Sequence, residues 1–155
     1  MRPHGFSLIE LVIVVVIVGV IAAIAIPRLS RGTDGAAESA LIADLAVMRK
    51  ALDLYVTEHT GTRPTLAGFE AQMLAFTDPL GNANSTRGGG FIYGPYLRAL
   101  PPLPVGTKKG EDGVKGPPAN GVGPYGWVYN QAAGTIVANT ASSKLDANDL
   151  PFNLY

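Results

Sequence analysis

The chain contains no cysteine. No disulfide can brace it, and no thiolate is available as nucleophile or metal ligand. Histidine is nearly as scarce, with only His4 and His59, so no paired-histidine zinc site is expected. Charge is sparse and balanced: 15% of 155 residues are charged, 12 basic against 12 acidic. That leaves no basic footprint for nucleic acid. There is no Gly-x-Ser-x-Gly nucleophile motif, and Gly88-Gly89-Gly90 lacks the Lys-Ser/Thr of a phosphate-binding loop. The residues of a catalytic centre are missing, so an enzyme is not expected.

What the chain does have is an apolar run of 21 residues from Phe6 to Ile26. As a helix at about 1.5 Å per residue it spans roughly 30 Å, the thickness of a bilayer's hydrocarbon core. Lipid enforces helix there, because every backbone group must be satisfied within the segment. Pro27 follows and is expected to end or kink the helix. One carboxylate, Glu10, interrupts the apolar run near its start. Its cost is on the order of 2.5–3.5 kcal/mol at the bilayer centre and smaller towards the edge. A carboxylate in that place needs a partner.

Three N-terminal arrangements fit such a run. A secretory signal peptide would use Arg2, the apolar region and the small-x-small Ala23-Ile24-Ala25. A plain anchor would use the apolar run alone. Neither has a use for Glu10. The third is carried by Gly5-Phe6-Ser7-Leu8-Ile9-Glu10-Leu11, with Ala22-Ala23-Ile24-Ala25-Ile26-Pro27 closing the run. This resembles the prepilin-type signal of type IV pilins and type II secretion pseudopilins.

That resemblance implies cleavage between Gly5 and Phe6, N-methylation of the new Phe6 amine, and assembly through Phe6 and Glu10. It implies residues 1–5 as leader, 6–27 as transmembrane and assembly helix, and 28–155 as a periplasmic or extracellular head. Basic residues flank the run on both sides (Arg2; Arg28 and Arg31), so their bias leaves orientation open. The resemblance implies a single-pass protein of the bacterial inner membrane with a cytoplasmic N-terminus. Loss of the leader would remove Arg2 and leave 11 basic against 12 acidic side chains.

Past the run, Ser30, Gly32, Thr33 and Gly35 suggest a flexible junction over 28–35 that either interrupts the helix or merely softens it, leaving one rod of ~80 Å with the helix that follows. Leu41, Leu45, Met48, Leu52 and Tyr55 or Val56 then recur at three- and four-residue spacing, an amphipathic helix over about 36–60. His59 at its end suits a helix-capping role. Gly61 and Pro64 close it. A short helix is expected over about 65–76 with Thr65 as N-cap. Residues 82–90 and 106–125 read as loops, and 91–105 as proline-fixed extended chain, within a β-region of about 91–140. Gly126–Asn130 and Thr135–Asn139 read as a hairpin turning at Gln131–Gly134. Trp127 is expected to pack the sheet on the long helix. The tail 141–155 ends in apolar residues that either tuck onto the head or meet a neighbour.

The order of these elements, with the Leu45, Arg49, Leu52, Tyr55, His59, Pro64 run, Pro95-Tyr96-Leu97 with Pro101, and Gly126–Asn130, resembles major (type G) pseudopilins. It implies an α+β pilin fold, a long helix on a small antiparallel sheet. The function implied is a structural subunit of a secretion pseudopilus or pilus-like filament. The partners implied are prepilin peptidase, copies of itself, a platform protein and other pseudopilins. The alternative is a minor pilin acting as an anchored adhesion or binding module. Major pseudopilins also bind calcium in a C-terminal loop. Glu111, Asp112, Asp146 and Asp149 are the oxygen ligands on offer. Their spacing does not match that loop, and a solvated loop and polar tail is the plainer reading, with no cofactor.

Overall fold

The computed structural model describes residues 7–155, and the side chains of 26–32 fall outside that description. Two compact units emerge, Met1–Ala36 and Ala37–Tyr155. Helix α1 (Leu8–Glu58, 51 residues) contributes to both. Its backbone stays helical through Pro27, Gly32 and Gly35, so the helix does not end at Pro27, nor does the junction over 28–35 break it. The reason is local. A proline removes one i→i−4 bond and a glycine costs about 1 kcal/mol. The alanine-rich turn Ala36-Ala37-Glu38-Ser39-Ala40 resumes with strong helix formers.

In the first unit, Leu8 to Val18 are all exposed, as are Val20, Ile21 and Ile24. The stretch Leu8–Ala25 is long and apolar enough to cross a membrane. In the second unit the expected stripe is the core. Leu41, Leu45, Met48, Leu52 and Tyr55 are buried, while Val47 and Leu54 on another face are exposed. Burying each large apolar side chain contributes about 1.5–3 kcal/mol. Thr60 (φ 53°) and Gly61 (φ 88°) then leave the helix through the left-handed region, and Gly61 N–H bonds the Val56 carbonyl at 2.8 Å.

Helix α2 (Phe69–Leu74) is shorter than expected, and its N-cap is Gly68 rather than Thr65. Thr65 Oγ1 instead accepts from Gly68 N–H (3.1 Å), while Gln72 Oε1 takes Thr65 N–H (2.8 Å). These local side-chain bonds hold residues 66–68 as a turn, not helix. Phe69 and Met73 enter the core. Phe76 belongs to strand β1 (Phe76–Thr77), which pairs antiparallel with β2 (Ala83–Asn84).

The main sheet holds β3 (Val114–Lys115), β4 (Trp127–Asn130) and β5 (Thr135–Ala138) in that order. β4 and β5 form the expected hairpin. Gly134 (φ 72°) closes its turn, and Asn130 Oδ1 accepts from Ala133 N–H. β3 lies parallel to β4, so this sheet is mixed rather than purely antiparallel. Gly113 O holds the crossing, accepting from Gly126 N–H (3.0 Å) and Trp127 N–H (3.1 Å). Gly126 is required beside it, because a Cβ there would stand 2.0 Å from the Glu111 carbonyl oxygen. Trp127 is fully buried in the cluster that includes the α1 stripe, and its Nε1–H donates to Pro101 O at 2.7 Å.

Candidate assembly site

Glu10 lies in the first turn of α1 and is exposed. It is not without a partner. Its Oε2 accepts from the backbone N–H of Ser7 at 3.0 Å. Ser7-Leu8-Ile9-Glu10 has the S-x-x-E spacing of a capping box, in which the third helical residue reaches back to the cap residue's amide. Leu11 N–H bonds Ser7 O (3.2 Å), placing Ser7 at the helix start. A carboxylate at that end also meets the positive pole of the helix dipole. Gly5 and Phe6, the expected cleavage pair, lie outside the described residues, as does His4.

The other expected polar residues go to the head. His59 is buried at the helix end, as a capping role requires, but it does more than cap. Its ring stacks on Tyr55 with centroids 3.9 Å apart. Nδ1 lies 2.9 Å from Tyr55 O and Nε2 3.0 Å from Asp78 O. The ring therefore ties the end of α1 to the turn at Asp78. That turn is organised by its own carboxylate, which takes Asn82 Nδ2 (2.7 Å) and the amides of Leu80 and Asn82 (both 2.9 Å). The Asn82 side chain first, with these amides, holds the Asp78 carboxyl below the usual carboxylate range.

The tail tucks onto the head. Phe152 and Tyr155 pack against the core cluster. The Tyr155 hydroxyl bonds Glu38 Oε1 (2.9 Å) and Asp146 Oδ2. Arg49 Nη2 donates to Tyr155 O (2.5 Å) and Ile136 O (3.2 Å). Asp146 Oδ1 takes the amides of Asn148 and Leu150, both at 2.7 Å. The Tyr155 bond first, and these amides, hold the Asp146 carboxyl low. The same bond raises the Tyr155 hydroxyl above its ordinary value. Asp146 is thus the hub of a turn. Among the described residues, Glu111, Asp112, Asp146 and Asp149 do not join in any group of three acidic or histidine ligands. Of the two placements open to the apolar tail, the structure has the tuck onto the head, through polar contacts of Tyr155 that carry no sequence signature. The capping-box spacing is the signal for the Ser7 donor.

Comparison with known proteins bears on the N-terminus first. The family model "Prokaryotic N-terminal methylation motif" matches residues 1–26. The type II secretion system core protein G of Klebsiella pneumoniae is 31% identical over 106 residues, covering 68% of this chain and 71% of the relative. Core protein G of Escherichia coli K12 is 30% identical over 106 residues, 68% of this chain and 69% of the relative. That of Vibrio cholerae is 29% identical, with 68% of each covered. No solved structure matches. A methylation motif that closes on Ile26, Glu10 in the first turn of the helix it opens, and this similarity over two-thirds of the chain converge: the chain belongs to the type II secretion system core protein G (pseudopilin) family.

Proposed function

We propose that this chain is a structural subunit of a type II secretion pseudopilus, anchored in the membrane by α1 and polymerised through it. The observation that carries this is the methylation motif together with an apolar helix whose described side chains from Leu8 to Val18 are exposed, with Glu10 in its first turn. Prepilin peptidase cuts between Gly5 and Phe6 on the cytoplasmic face of the inner membrane and methylates the Phe6 amine. The head stands in the periplasm. An inner-membrane platform protein and other pseudopilins complete the machine. In a bundle of such helices the dielectric is low, and an α-ammonium and a carboxylate attract far more strongly than in water. The Phe6 amine of one subunit then pairs with Glu10 of the next, sets the register and removes the carboxylate's cost in lipid.

Mass spectrometry of the protein from its native membrane tests this: the expected N-terminus is methylated Phe6, and one after Ala25 would overturn it. Glu10→Leu should leave cleavage intact and abolish fibres seen by electron microscopy. Normal Glu10→Leu fibres would sink the pairing. A subunit present in only trace amounts in sheared fibres would point to the minor-pilin role instead. Asp146 acts as turn hub rather than cation ligand, so the melting temperature is expected to be the same in EDTA and in millimolar calcium.

A further inference from the structure

Pairing of Glu10 with another subunit's amine requires a neighbour, and an unassembled subunit has none. The bond within the chain addresses that interval. Ser7 N–H is one of the amides at a helix start that have no intrahelical acceptor. Glu10 Oε2 takes it at 3.0 Å, so each satisfies the other's need in one contact. An amide left bare in lipid and a carboxylate left bare in lipid are both costly. Because the donor belongs to the backbone three residues away, its geometry is set once the first turn forms.

We infer that this half capping box is the resting state of the assembly carboxylate, and that polymerisation exchanges the Ser7 amide for the neighbour's amine. The inference rests on the reading of Glu10 as the assembly residue and adds a positioning residue to it. Ser7 acts through its N–H and not through its hydroxyl. The cap holds the carboxylate at the helix start, ready for transfer. It also makes assembly an exchange of partners rather than the capture of a free charge. The lone subunit is thereby stabilised in the bilayer and kept from ion-pairing indiscriminately.

The test uses the full chain, isotopically labelled and held as a monomer in phospholipid bicelles. Amide exchange at Ser7 is measured by NMR with Glu10 intact and with Glu10→Leu. Glu10→Leu should speed Ser7 exchange by roughly tenfold, the loss of one hydrogen bond to a charged group. Ser7→Ala keeps the N–H and should keep the slow exchange. An equal exchange rate at residue 7 with and without the Glu10 carboxylate would overturn the resting cap, whatever fibres do. In cells, Ser7→Pro removes the N–H. After mass spectrometry has established that it is processed, the unassembled subunit should disappear from the membrane several-fold faster than Ser7→Ala; equal lifetimes count against the cap. Failure of the proposed function would look different: Glu10→Leu would assemble normally while the Ser7 amide still responded.

Discussion

His59 is 1% exposed and meets a carbonyl oxygen with each ring nitrogen. A carbonyl only accepts, so whichever ring nitrogen carries hydrogen donates to the carbonyl it faces. Phenylalanine at this position would keep the stack on Tyr55 and lose both ties. His59→Phe should destabilise the head by about 1–3 kcal/mol, read as a lower urea midpoint; an unchanged midpoint would show the ring acts by stacking alone. Asp78 and Asp146 set the acid limit. Both carboxyls are held low in the folded chain. A depressed carboxyl contributes stability that is complete above its unfolded value, about 3.9, and drains away as pH falls through the folded one. The melting temperature should therefore be level from pH 7 to about 5 and drop below about pH 4. Asp146→Asn should shrink that drop.

Among the elements, those legible in the sequence are the ones built from neighbours. The α1 stripe from Leu41 to Tyr55 repeats every three or four residues, and the β4–β5 hairpin carries β-formers about a Gly134 turn, so both declare themselves locally. β3 does not. Two residues, Val114 and Lys115, are recruited to β4 only because Gly113 O meets the amides of Gly126 and Trp127, a partnership with no side-chain signature. The sequence leaves open whether α1 continues across Pro27, because breakers and strong helix formers adjoin there; the helix is continuous since the breakers are outweighed by their flanks. At the candidate site, the position of Glu10 is legible in the sequence, and its partner within the chain is signalled only by the S-x-x-E spacing from Ser7. The β3–β4 crossing yields its own expectation. Gly126→Ala drives a Cβ into the Glu111 carbonyl and should cost about 1–3 kcal/mol or more, measured by chemical denaturation. Wild-type stability would mean that the 111–126 contact yields freely.

For the whole molecule, the division at Ala36–Ala37 separates two kinds of stability. Among the described residues, the head's core cluster draws on those from Ala37 onward. A fragment Ala37–Tyr155 should be soluble and unfold in one cooperative step by circular dichroism, yet add to no fibre. A fragment that fails to fold would show that the apolar half of α1 supports the head.

The clasp at Tyr155 joins residues far apart in the chain: its hydroxyl reaches Glu38 across 117 positions and its carbonyl reaches Arg49 across 106. Such closures come late, because the loop's entropy must be lost before any contact repays it. On the proposed topology, with the N-terminus held in the cytoplasm, Glu38 and Arg49 emerge from the membrane long before their partner. That topology makes the order of export an order of folding, with the head unlatched until position 155 has crossed. Limited proteolysis of chains stalled before that point should cut near Asp146, and protection there in a stalled chain would show that the latch is not needed to close the tail.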